Sequence, residues 1–185
     1  VIMKMNNMKA IVFVVILSMV LGALAGCATG VSGNNTVDVG IVLPTKDEPR
    51  WVQDETRFAE ALKDTDYSVE ILFSQGSSAN EKQNVESLIT KGIKVLIICP
   101  HDGDGAAAAA EAAKAEGITV ISYDRLITGT KAVDYYVTFD SIAVGEAQGQ
   151  YLVDNATGSG NPLYLYAGAA SDNNAFLFFE GAWNV

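Results

Sequence analysis

Cysteine is scarce in this chain, with Cys27 and Cys99 alone among 185 residues, and His101 is the one histidine. Two distant cysteines build neither a disulfide framework nor a zinc site. His101 stands with Asp102 and Asp104 in "PHDGDG", but lacks the second histidine or spaced third ligand that a transition metal wants. Those glycines suit a tight turn, with Asp104 expected as a helix N-cap. Cationic charge is also short: 12 Lys and Arg face 22 Asp and Glu, a net charge of −10. Such a chain repels phosphate backbones and anionic headgroups, so no nucleic-acid partner is expected. Missing too are G-x-G-x-x-G, G-x-x-x-x-G-K-[ST] and the G-x-S-x-G elbow, hence a phosphate cradle and a serine nucleophile. No catalytic residue, metal or cofactor is expected. What the chain does have is 49% hydrophobic residues, enough to bury a real core.

The first thirty residues differ from the rest. No acid occurs among them, Lys4 and Lys9 form a positive start, and Ile11 to Leu21 is an almost unbroken apolar stretch. That stretch is short for a membrane span and is followed by small residues, the order of a secretory signal. "LAGC", Leu24 to Cys27, resembles a bacterial lipoprotein signal. The resemblance implies that residues 1–26 are a signal peptide, that Cys27 carries the lipid, and that the protein is anchored to the outer face of the cell membrane or is periplasmic. Residues 27–36, small and polar, read as a flexible tether. Cys99 closes the apolar run "IKVLIIC" and is expected to be a buried, inert thiol.

Beyond residue 36 the chain alternates. Val37–Leu43, Ser68–Phe73, Ile93–Ile98, Ile118–Ser122, Asp134–Phe139 and Pro162–Ala167 read as strands. Helical spacing covers Trp51–Lys63, a stretch from Ser78 to about Lys91, Ala106–Glu116, Ile142–Val153 and the chain from Asn174. Ser78 with Glu81 has the S-x-x-E form of a capping box, and Gly92 and Gly117 stand where helices end. Strands alternating with helices predict an α/β fold, a parallel sheet with helices on both faces.

Ligands of such sheets gather beyond the carboxyl ends of the strands, and four consecutive strand exits here carry chemistry. The first leads to Arg50 and Trp51, the third to Asp102, the fourth to Asp124 and Arg125, the fifth to Asp140 and Ser141. Carboxylates accept from paired hydroxyls, a guanidinium donates to ring and hydroxyl oxygens, and an indole covers the C–H face of a sugar. These exits therefore fit sugar recognition. They fit equally a loop salt bridge between Asp124 and Arg125 with Trp51 covering a helix end.

"PRWVQDETRFAEAL", "ITKGIKVLIICPHDG", "EGITVISYDRLI", "DYYVTFDSIAVGEAQGQYLVD" and "SDNNA" together resemble the periplasmic sugar-binding proteins of ABC importers, in the branch that binds xylose and multiple sugars. The resemblance runs from about Val37 to the last residue. It implies a type I periplasmic-binding-protein fold of two Rossmann-like lobes closing on one monosaccharide, which is delivered to an ABC permease without catalysis. It assigns 37–140 to the N-terminal lobe and 141–185 to the beginning of an incomplete C-terminal lobe, and implies a monomer when complete. Carried over by position, ligand contacts fall on Arg50, Trp51, Asp102, Asp124, Arg125, Asp140, Ser141, Asn173 and Asn174, with Ser141 standing where relatives have asparagine. The chain stops at "GAWNV" where relatives continue, so poor affinity and exposed apolar surface at Phe176–Phe179 are expected of this stretch alone. Related lobes bind nucleosides, autoinducer sugars or inositols, and sugar-responsive repressors share the fold. An enzyme on a flavodoxin-like sheet would need a nucleophile, phosphate cradle or metal set.

Overall fold

The computed structural model describes residues 36–158, 160 and 162–185. The expected signal peptide, Cys27 and all of the tether except Thr36 lie outside the described residues. Five strands, β1 (Val39–Leu43), β2 (Val69–Phe73), β3 (Val95–Ile98), β4 (Thr119–Tyr123) and β5 (Tyr135–Val137), form one sheet in the order β2-β1-β3-β4-β5. Every pairing is parallel, with Val42 of β1 opposite Leu72 and Ile98. Helices α1 (Pro49–Leu62), α2 (Ser78–Thr90) and α3 (Ala107–Ala115) connect the first four strands, while α4 (Ser141–Asn155) and α5 (Asn173–Trp183) follow the sheet. The expected α/β class and parallel sheet are observed.

Burial explains the layers. All five residues of β1 are buried, because both faces of a central parallel strand are covered by helices. Val39, Ile41 and Leu43 join Trp51, Phe58 and Leu62 of α1 on one face. Val42 joins Val85 and Leu88 of α2, Ala109, Ala110 and Ala113 of α3, and Leu96, Ile98 and Val120 on the other. Successive strand residues point to opposite faces, so Gly40 also faces α2, and a Cβ there would lie 2.8 Å from Leu88 Cδ1. The absent side chain lets α2 settle onto the sheet. Gly92 and Gly117 end α2 and α3 with φ of +80° and +76°, as the glycine stops predicted.

Several local expectations are corrected. α2 is capped by Ser77, whose Oγ accepts the Asn80 N–H at 3.4 Å, so Ser78 is already helical and Glu81 belongs to no capping box. Ala106 precedes α3 without a side-chain cap. Asp104 instead accepts the Thr128 hydroxyl, and Asp102 Oδ1 accepts the Gly105 N–H at 2.7 Å. Pro162–Ala167 forms no strand; no described strand lies beside it, and extended chain without a ladder partner stays irregular.

α4 and α5 pack on each other through glycines. A Cβ at Gly145 would fall 2.2 Å from the Phe178 carbonyl oxygen, and one at Gly181 2.1 Å from that of Ile142. The two backbones are in van der Waals contact there, which only glycine permits.

Candidate functional site

Because every strand runs the same way, the loops after β1, β3, β4 and β5 emerge at one edge of the sheet. Pro49 starts α1 with its ring-fixed φ, which puts Arg50 and Trp51 in the first turn beside that edge. Half-exposed Arg50 donates from Nη2 to Asp124 Oδ2. Its Nε lies 3.6 Å from Asp54 Oδ2, one helical turn on, and that oxygen accepts the Tyr123 hydroxyl at 3.1 Å. Burial works against the charge on Arg50, yet the adjacent Asp124 and Asp54 carboxylates raise its pKa above the ordinary value.

Asp124 is the hub. It is 5% exposed and its φ is +63°, a left-handed backbone that costs a non-glycine residue about 1 kcal/mol or more. Its surroundings hold it there: its carbonyl oxygen accepts the Tyr136 hydroxyl, the Thr138 hydroxyl and Asn174 Nδ2, each at 3.0 Å. Asn174 Nδ2 also lies 3.4 Å from Asp124 Oδ1, while Asn174 Oδ1 accepts the buried Ser141 hydroxyl at 3.0 Å. One asparagine thus ties the exit of β4 to the starts of both α4 and α5.

Asp124 and Arg125, adjacent in sequence, do not pair with each other. Arg125 Nε sits 3.0 Å from Asp172 Oδ2, and its Nη1 donates to the Pro100 carbonyl at 3.3 Å. The left-handed turn at Asp124 sends the two side chains to different partners, replacing the loop salt bridge open in the sequence. Trp51 is likewise not an open platform. It is 2% exposed, its Nε1 donates to Glu48 Oε2 at 2.9 Å, and Arg50 and Arg125 lie over its ring at 4.7 and 5.4 Å. The indole here backs two guanidinium groups, a cation–π arrangement.

The remaining candidates are more scattered. Asp102 and Asn173 line an open cavity of about 650 Å³ together with Gly103, Thr128 and Ser171; Arg50, Trp51, Asp124 and Arg125 do not line it. Asp140 caps α4, accepting the Ala143 N–H at 3.0 Å, and Asp172 caps α5 through the Asn174 N–H at 3.0 Å. Cys99 lies beneath the site, fully buried, and burial pushes its thiol well above the ordinary range. Among the described residues no group of His, Cys, Asp and Glu is arranged to hold a metal ion.

Sequence reading gives no role to Asp54, Tyr136 or Thr138, whereas Asp172 stands in the "SDNNA" match. Asp54 was findable, since an acid four residues after an arginine shares its helix face. Tyr136 and Thr138, which donate to the Asp124 carbonyl, carry no signal, because a backbone acceptor has no side-chain motif.

Comparison with known proteins matches residues 39–185 to a family described as "Periplasmic binding protein domain". The chain belongs to that family. Among its relatives within the periplasmic binding proteins, a multiple sugar-binding periplasmic protein of Azospirillum brasilense is 36% identical over 177 residues, covering 88% of this chain and 49% of the relative. A D-xylose-binding periplasmic protein of Escherichia coli is 33% identical over 149 residues, covering 80% and 44%. The chain spans about half the length of these relatives. A carbohydrate transporter solute-binding protein of Chloroflexus aurantiacus, solved with D-glucose, is 81% identical with a TM-score of 0.75, over 80% of this chain and 43% of that one. An ABC transporter solute-binding protein of Clostridium phytofermentans, solved with β-D-glucose, is 38% identical with a TM-score of 0.74, over 79% and 46%. These relatives are binding proteins, not enzymes, and the resemblance read from the motifs is thereby upheld.

Proposed function

We propose that the chain is part of an extracytoplasmic solute-binding protein that captures an aldose, xylose, glucose or a similar monosaccharide, and delivers it to an ABC permease. The observation that carries this reading is the pair of ion contacts at the strand exits, Arg50 with Asp124 and Arg125 with Asp172. It occurs in a chain 81% identical, over the shared span, to a carbohydrate-transporter protein solved with D-glucose. Two guanidinium–carboxylate pairs offer fixed donors and acceptors to a neutral polyol while keeping each other charged. Arg50, Asp124, Arg125, Asp102 and Asn173 take the hydroxyls in this reading. Trp51, Asp140, Ser141 and Asn174 hold those groups in place, Trp51 from behind and the others from the starts of the two later helices. Lipidation at Cys27 would tether the protein to the outer face of the membrane.

The test is a thermal melt of the whole gene product against aldopentoses and aldohexoses. A ligand at ~100 times its dissociation constant adds about 2.7 kcal/mol to a native-state binder, a shift of several degrees. A selective shift that Asp124→Ala removes is expected. A flat panel from a folded protein refutes the reading.

A further inference from the structure

Glu81 lies in the first turn of α2, yet its carboxylate points inward and is 1% exposed. Its Oε2 accepts the backbone N–H of His101 at 2.7 Å. The carbonyl on the other side of the same peptide bond, that of Pro100, accepts Nη1 of Arg125 at 3.3 Å. A peptide unit is planar, so a hold on its N–H fixes the direction of its C=O. A carboxylate on the N–H also polarises the amide and makes its carbonyl a stronger acceptor. The protein has therefore buried an acid, at a desolvation cost, where it grips the peptide that Arg125 uses as an anchor.

We infer that Glu81 is a positioning residue of the binding site, aligning the Pro100–His101 peptide and through it the guanidinium of Arg125. It touches no ligand. The inference rests on Arg125 serving the site, as proposed above. The charged groups acting on Glu81 are Asp102, from the loop after β3, and Arg125, from the exit of β4. Burial raises the Glu81 pKa to about 7, against the His101 N–H, which lowers it; Asp102 adds to the rise and Arg125 opposes it. The device is thus sensitive near neutral pH: protonation weakens the hold on the peptide, and the alignment of Arg125 relaxes as pH falls.

The experiment compares the whole gene product with its Glu81→Gln variant, which keeps a carbonyl for the His101 N–H but carries no charge. Both are made in a His101→Asn background, which removes the chain's one histidine and keeps the backbone N–H that Glu81 holds. The Arg125 Nε–H resonance, assigned by its loss in Arg125→Lys, is followed without sugar from about pH 5.5 to 8.5. It is expected to move through a midpoint near 7 and to stay flat in Glu81→Gln. Calorimetric titration with the aldose giving the largest melting shift should show about fivefold weaker binding for Glu81→Gln. Parental affinity should fall as pH drops through the same midpoint, and the effect of Glu81→Gln should vanish in an Arg125→Lys background.

An Arg125 resonance indifferent to pH and to Glu81→Gln overturns the inference, as does unchanged affinity with an unchanged pH profile. If no aldose binds while Arg125 still tracks Glu81, the alignment stands and the sugar reading falls. If Glu81→Gln does not fold, the pH titration of the parent decides alone.

Discussion

Residues 36–140 and residues 141–185 bury their apolar side chains by different means. In the first stretch, helices lie on a sheet whose central strand is covered on both faces. In the second, two helices lie on each other through bare glycine backbone, and Leu163, Tyr164, Tyr166, Phe176 and Trp183 remain exposed, Tyr166 by 94%. The apolar content of the two stretches reads alike in sequence. What separates them is the partner: a sheet supplies every strand with a ladder and every helix with a floor, whereas a helix pair covers only the seam between its members. Hydrophobic patterning marks the side chains that need cover, and topology decides whether they receive it.

That comparison can be tested region by region, because the two tryptophans fall one on each side: Trp51 in the sheet layer, Trp183 at the end of α5. The largest effect is expected from Leu96→Ala, which empties a fully buried position beneath α2 and α3 and should cost about 3 kcal/mol in urea unfolding. Both tryptophans should report that loss if the helix pair depends on the sheet. Unfolding of the Trp51 signal alone would show two independent regions.

Next comes pH. A buried carboxyl raised from 4.5 to about 7 favours the protonated fold. The contribution of Glu81 is fully present below its ordinary pKa and is lost as pH rises through 7. At about 1.4 kcal/mol per unit, stability should decline by roughly 2–3 kcal/mol between those values, and Glu81→Gln should flatten the curve. Sheet stability and the alignment of Arg125 would then respond to pH in opposite directions.

Gly181→Ala should cost about 2 kcal/mol despite the better helix propensity of alanine, because the new methyl meets the Ile142 carbonyl oxygen and forces the helices apart. The change should appear at Trp183 and not at Trp51. Smallest is Ser141→Ala, about 1 kcal/mol, since it leaves buried Asn174 Oδ1 without its donor. Its sharper readout is the Asp124 backbone, whose link to Asn174 should loosen and expose the surrounding amides to hydrogen exchange.

Much of the fold was legible in the sequence, for physical reasons. The runs at Val39–Leu43 and Val95–Ile98 are apolar without interruption because both faces of those strands are covered, and the two stop glycines sit where the backbone turns left-handed. Pro162–Ala167 also lacks charged residues but forms no strand, because a strand also requires a neighbour, and the neighbour is not written in the segment itself. The candidate site is legible by position rather than by contact. The strand exits correctly bring Arg50 and Asp124 together. That Asp124 turns away from Arg125, that Trp51 lies beneath two arginines, and that Glu81 faces inward depend on a φ angle, a burial and a helix start displaced by one residue. None of these has a motif.

The placement of Trp51 has an optical consequence. Its indole is shielded from water and has two cationic groups over its ring, so its excited state senses the local field more than the solvent. A shift of either guanidinium changes that field and with it the wavelength and yield of emission. Nature has thus wired a fluorophore to both arginines of the strand-exit edge. In a Trp183→Phe background the protein would report the state of that edge by its own light, without a label.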